Sequence, residues 1–388
     1  MAKDCDDCRR KREVQDKRIV TKNNNILNNI ISTPPKNLVS LNKQESIKLL
    51  PVGQKYQIPI AKSNRKKVLF MCDLPPGDLL MLSAAIRDLH LYYPGNFLTG
   101  VKCKFPEIWE NNPYIVALNE SDKDVMVIEA HYPLIHKSDL LPYHFIHGFS
   151  QYIETKLNIR IPPTFFKGDV FLSLKEVLSH SAIEDMGIKD KFWIIMAGGK
   201  TDFTCKYWPT EYYQEVVDYF NGEITFVQSG NVGDWHPPLK NVINLVGQTS
   251  LRQFINLIYH SIGVLCPVTF AMHGAAAVPV KKDNPPSRAC VVIAGGREPA
   301  HWEAYPNHRF LSVNGTIDCC AKKACWRSRC QKIGDNDEKD FKNLCLYPTK
   351  TLTNIVVPKC MDMIKPVDVI RAIETYYEGG VLKYNDCK

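Results

Sequence analysis

No apolar run in this 388-residue chain approaches the roughly 20 residues that span a bilayer. The N-terminus carries charge where a secretory leader would carry an apolar stretch. Membrane-spanning and secreted classes are therefore not expected, and the cytoplasm is the expected compartment. A basic stripe is also missing. Lysines and arginines are scattered outside the N-terminal block, although the formal net charge is +8. Scattered positive charge suits an anionic small ligand such as a nucleotide-sugar better than it suits a nucleic-acid surface. Nor is there the CxxC…CxxC spacing of a standard zinc site. Cysteine itself is plentiful, with 14 in the chain. In a reducing compartment, clustered cysteines point to metal or catalysis more often than to disulfides. Cys72, Cys266 and Cys290 stand singly in apolar runs and read as core residues.

The length exceeds one ordinary core, so two domains are expected. The organising stretch runs from Val68 to Pro94. Val68-Leu69-Phe70-Met71 reads as a buried parallel strand. The turn Asp73-Leu74-Pro75-Pro76-Gly77-Asp78 follows, then Leu79, Leu80, Leu82, Ala85, Ile86 and Leu89 recur at helical spacing. Strand, Gly-containing turn and helix make the first half of a Rossmann-like βαβ unit, whose ligands lie beyond the carboxyl ends of the strands. Asp78 has two compatible readings: a helix N-cap and a general base held on a rigid turn.

Strands at 97–101, 124–129 and 171–174 alternate with helices at 144–157 and 175–186, the pattern of a doubly wound α/β sheet. It restarts at Lys191, with strands at 192–197, 224–227, 242–245, 262–266 and 289–294, and helices at 212–220, 250–260 and from Phe270. The expected division is an extension at 1–66, Rossmann-like domains at 67–188 and 189–316, a cysteine-rich segment at 317–362 and a C-terminal helix within 363–388. The extension holds Cys5 and Cys8, too few ligands to complete a tetrahedral site.

Five motifs in order resemble the heptosyltransferase-like glycosyltransferases of family nine. They are the strand–turn–Gly77-Asp78–helix start, Lys206-Tyr207-Trp208-Pro209, the run from Asn244 to Leu251, Pro267-Val268-Thr269 leading into Met272-His273, and the loop from Gly295 to Pro306. The resemblance covers roughly Val68 to Pro306. It implies a GT-B fold, two Rossmann-like domains facing a cleft, and transfer of a sugar, heptose-like or hexose, from a nucleotide-diphosphate donor. Asp78 matches the family's base and Lys206 its donor-diphosphate lysine, with Thr201 in the loop before it. Thr269, Met272 and His273 match the helix start facing the diphosphate. Gln228 and Asp234 are weaker candidates for nucleotide contact. Val268 and Phe270 depart from the family pattern, which usually has an acidic residue and a glycine there. Inversion at the anomeric carbon is implied by the resemblance alone.

The chemistry asks for these residue types. A departing diphosphate is stabilised by a helix N-terminus and a lysine, with no metal needed for catalysis. An attacking hydroxyl needs a carboxylate within hydrogen-bond reach. The acceptor is open: glycan, lipid-linked glycan, protein or nucleic acid. Plainer readings stand beside these. Lys206 reads equally as a solvated lysine at a helix start, His273 as a satisfied core histidine, Trp208 and Trp302 as core packing, and Gly295-Gly296 as a stop after a strand. A catalytically silent sugar- or nucleotide-binding relative is one alternative, motivated by Val268 and Phe270. A nucleic-acid-associated protein using the basic N-terminal arm is another.

From Asp318 the composition changes. Cys319, Cys320, Cys325, Cys330, Cys345 and Cys360 place six thiols close together. Four of them holding a structural zinc or iron is the functional reading. Some relatives in the family carry a cysteine-held iron near the C-terminus. Reduced loop cysteines and a disulfide clip are the alternatives.

Overall fold

A computed structural model of the chain describes residues 65–131, 141, 143–380 and 382–385. The expected N-terminal extension, with Cys5 and Cys8, lies almost wholly outside them.

The first lobe opens with β1 (Lys66–Cys72), whose Val68, Leu69 and Phe70 are buried. Helix α1 (Pro76–Tyr92) follows. Strands β2 (Phe97–Cys103) and β3 (Val125–Glu129) flank β1 in a parallel sheet of order β2-β1-β3. Helix α2 (Phe145–Leu157) packs on α1 and is capped by His144, whose ring accepts from the Ile146 N–H. α1 is buried on nearly every side, so its polar residues need internal partners. Arg87 meets Asp88, Asp169 and the carbonyls of Phe165 and Lys167.

Two expectations here are corrected. Phe171–Leu174 forms no strand, because its polar groups are engaged otherwise. The Phe171 carbonyl accepts from Arg252, and Ser173 caps α3 (Leu174–Leu178) in a reciprocal box with Glu176. The helix expected over 175–186 is therefore only this short one.

The second lobe is a six-stranded parallel sheet. Its elements run β4 (Phe192–Ile195), α4 (Thr210–Tyr219), β5 (Thr225–Gln228), β6 (Ile243–Asn244), α5 (Leu251–His260), β7 (Gly263–Pro267), α6 (Phe270–Ala277), β8 (Ala289–Gly295), α7 (Ala300–Glu303) and β9 (His308–Ser312). The order is β6-β5-β4-β7-β8-β9. Counted within the lobe this is 3-2-1-4-5-6, the dinucleotide-fold order, whose ligand crevice opens between the first and fourth strands. β9 extends the sheet one strand beyond expectation. Ser250 caps α5, as its spacing implied.

Four short elements precede the end: α8 (Lys339–Lys342), the antiparallel pair β10 (Pro348–Lys350) and β11 (Val356–Pro358), and α9 (Lys359–Asp362). Helix α10 (Pro366–Glu378) then packs against α4 and β8 of the second lobe. The Tyr377 hydroxyl accepts from Trp193 Nε1 at 2.9 Å. Trp208 is core, its Nε1 donating to the Ile364 carbonyl at 2.8 Å. One apolar core runs from β1 and α1 through α2, α5 and α6 to β8, without a break between the lobes. Among the described residues, no helix is long and apolar enough to cross a membrane.

Candidate active site

The loops after β1, β4, β7 and β8 all leave the carboxyl ends of parallel strands and meet in one place. Gly77 of the first lobe packs against His273 of the second. A Cβ at Gly77 would lie 2.7 Å from His273 Cδ2, so only glycine lets α1 approach α6 this closely. Asp78 is the next residue. It is not the N-cap, a role that falls to Pro75 without any side-chain cap bond; Asp78 stands in the first turn, where a carboxylate is favoured by the helix dipole.

Lys206 ends a 3-10 turn (Thr204–Lys206) after β4. Its Nζ donates to the Val268 carbonyl at 3.0 Å and lies 3.2 Å from Glu298 Oε1. Its side chain is 25% exposed, against 4% for that of Glu298. Burial, with Arg297 nearby, pulls Lys206 down to about 8, while Glu303 and Asp78 oppose the shift. Glu298 also takes the Arg297 guanidinium.

Thr269 caps α6 by position only. Its side chain makes no cap bond, and its Oγ1 is buried without a hydrogen-bond partner. His273 is buried in α6, its Nδ1 2.7 Å from the Tyr305 hydroxyl, which contacts Met81 Sδ of the first lobe at 3.2 Å. Burial, with Lys206 next, holds His273 down to about 3, so its ring is neutral. The satisfied-histidine reading fits this position. Met272 is wholly inside the core. Gln228 is also enclosed, its amide bonded to the Pro237 carbonyl and the Leu239 N–H. Asp234 lies on a turn near Tyr207 and His236. Thr201 is exposed on the loop opened by Gly198 and Gly199, both at positive φ (116° and 152°). There the backbone pairs with Trp235 in both directions.

Sequence reasoning missed Glu303. It is 5% exposed, its Oε2 has no partner, and burial pushes it up to about 7 against the pull of Lys206 and Arg297. It is held where Trp302 stacks on Phe145 of α2 (5.3 Å, 24°) and His144 Nε2 meets the Ala304 carbonyl at 3.2 Å. Trp302 is thus interlobe packing.

The cysteine-rich segment is fastened to the same loops. Cys205 N–H donates to the Ser328 carbonyl, and Cys330 N–H to Thr204 Oγ1. Cys205, Cys330 and Cys345 bring their sulfurs within 4.8 Å of one another. Cys205 was not among the expected ligands. The other two thiols hold Cys345 down to about 3 and push Cys205 up, as expected of thiols sharing one negative charge. Cys319, Cys320, Cys325 and Cys360 line a cavity that Cys205 and Cys345 also line, and are not part of the close-set triad. A Cβ at Gly296 would meet Cys320 Sγ at 3.2 Å and Cys360 Cβ at 3.3 Å. The described cysteines are all unpaired, so the disulfide alternative does not apply to them.

Two parallel-sheet lobes, with ligand-facing loops converging at the switch point of the second, make up the GT-B architecture of glycosyltransferases. No protein-family model matches the sequence, and no curated protein matches it. Solved structures do, and the fold is that of the family-nine glycosyltransferases. A family-nine glycosyltransferase from Veillonella parvula shares 13% identity at TM-score 0.55, covering 81% of this chain and 97% of that one. ADP-heptose lipopolysaccharide heptosyltransferase II of Escherichia coli gives 13% and 0.52, covering 81% and 100%. The iron-containing dodecameric glycosyltransferase TibC of enterotoxigenic E. coli gives 14% and 0.54, covering 81% and 77%. At these identities the likeness is one of fold.

Proposed function

We propose that the chain is a glycosyltransferase that moves a sugar from a nucleotide-diphosphate donor to an acceptor hydroxyl. The observation that carries this reading is the convergence of the turn bearing Asp78, whose neighbour Gly77 abuts His273 of α6, with Lys206, whose Nζ is bonded to the Val268 carbonyl just before that helix. In this scheme the donor diphosphate seats at the α6 N-terminus. Thr269 Oγ1 and the first free N–H groups of the helix point donors at it. Lys206 leaves the Val268 carbonyl to meet it, and the developing negative charge is stabilised without a metal. Asp78 accepts the acceptor's proton as the new glycosidic bond forms and the bond to the diphosphate breaks. Attack opposite the leaving group inverts the anomeric carbon. The TibC structure solved with ADP-D-β-D-heptose makes an ADP-sugar the first donor to try. The test is Asp78→Asn. Transfer is expected to fall by about 100-fold or more, while donor binding by calorimetry stays near wild type. Full transfer by the variant would refute the assignment.

The cysteine triad fits a structural zinc or iron. Three sulfurs lie within 4.8 Å of one another, and the Tyr347 N–H is bonded to Cys345. A bound ion would clip the cysteine-rich segment to the turn carrying Lys206, and no chemical step needs it. Metal analysis of purified protein is expected to find one ion per chain or more, reduced in Cys330→Ser. Protein free of both zinc and iron would remove the clip.

A further inference from the structure

Five charged side chains crowd the converging loops: Asp78, Glu298 and Glu303 against Lys206 and Arg297. Glu298 is nearly enclosed and already engages both cations, touching Arg297 and lying 3.2 Å from Lys206. Glu303 therefore has neighbouring cations but no claim on them through its second oxygen, which is buried and unbonded. The groups acting on it are Lys206 from the 3-10 turn, Arg297 from the β8–α7 loop and Asp78 from α1. It acts in turn on Tyr305, next but one in the chain. A diphosphate diester would add about two negative charges to this enclosure. It would also draw Lys206 away from the carboxylates. A buried site does not hold that excess; the least-bonded acid neutralises instead.

We infer that binding of the nucleotide-sugar is coupled to uptake of one proton by Glu303. The inference rests on the donor reading proposed above. The step is an acid–base one: a proton from solvent adds to the orphan Oε2 of Glu303, which becomes a neutral carboxylic acid, and no other bond changes. Glu303 is then a gate on donor affinity, while Asp78 keeps the separate task of accepting the proton of the acceptor hydroxyl. Donor affinity should consequently weaken on the alkaline side, by up to about tenfold per pH unit above the point where free Glu303 ionises.

The experiment is isothermal titration calorimetry of the full chain with ADP-glucose and UDP-glucose. Their diphosphate diesters do not titrate near neutrality, so they report only protein protons. Titrations at about pH 8 in buffers of different ionisation enthalpy count the protons exchanged. Wild type is expected to take up close to one proton per sugar nucleotide bound. Glu303→Gln should bind at least as tightly, with no uptake and a flat pH profile. Asp78→Asn should keep the uptake. Wild-type binding without uptake, or uptake that survives Glu303→Gln, overturns this inference and leaves the donor reading standing. Uptake lost in Asp78→Asn but kept in Glu303→Gln assigns the proton to Asp78 and overturns it too. Absence of binding by either sugar nucleotide removes both the donor reading and the inference built on it.

Discussion

Replacing Gly77 with alanine tests how closely α1 and α6 are packed across the lobe boundary. The added methyl would stand 2.7 Å from His273 Cδ2 and 3.3 Å from Nε2. Comfortable carbon–carbon contact begins near 3.5 Å, so roughly 0.8 Å must be found. His273 cannot swing aside cheaply. Its Nδ1 is bonded to the Tyr305 hydroxyl, and its ring packs edge-on to Phe145 and Tyr305. Breaking that hydrogen bond costs about 1 kcal/mol. Moving the start of α1 instead strains a helix buried on nearly every side. The expected loss is about 1–3 kcal/mol, the range for overpacking. It would be read as a lower urea midpoint at unchanged slope. Gly379→Ala is the control: its site is open space at φ −74°, so it should be neutral or slightly stabilising. A Gly77→Ala protein as stable as wild type would refute the closure as described. Transfer should drop as well, because the shifted backbone carries Asp78.

Three histidines should make the protein acid-sensitive. His144, His260 and His273 are buried, and burial lowers them to about 4, 4 and 3. Their folded values lie below the unfolded value near 6.5, so the unfolded chain binds protons first. Stability should be full above about pH 6.5 and fall as pH drops towards 4, each histidine adding about 1.4 kcal/mol per pH unit well inside that window. Urea midpoints flat from pH 7 to about 4.5 would contradict this. Tyr377→Phe leaves the indole N–H of fully buried Trp193 without its partner. It should cost about 1–3 kcal/mol in thermal or urea unfolding; no change would mean that α10 is not integral to the second lobe.

Much of this arrangement is visible in the residues. The runs at 68–71 and 289–294 are apolar enough to call for a buried parallel strand, and both are β-strands. β9 was missed because His308-Arg309-Phe310-Leu311-Ser312 lies at a sheet edge, is only partly buried, and offers no apolar run. Phe171–Leu174 misled in the opposite direction: it is mostly apolar, but Arg252, 81 residues away, takes the Phe171 carbonyl a neighbouring strand would need. Cys205 was invisible as a ligand because its partner Cys330 is 125 positions on. Glu303 could have drawn notice as an acid flanked by Trp302 and Tyr305 after a Gly-Gly-Arg turn. Nothing in a linear pattern says that its second oxygen is buried unbonded.

The continuity of the apolar core between the lobes has a bearing on how a ligand arrives. Wide swinging of one half away from the other would tear α1 from α6 and wet side chains from Val68 through Cys290. On the donor reading, a sugar nucleotide has to enter without parting the lobes, past the buried Trp302–Tyr305 strap that the Phe145–Trp302 and His144–Tyr305 ring contacts and two polar contacts hold to the first lobe.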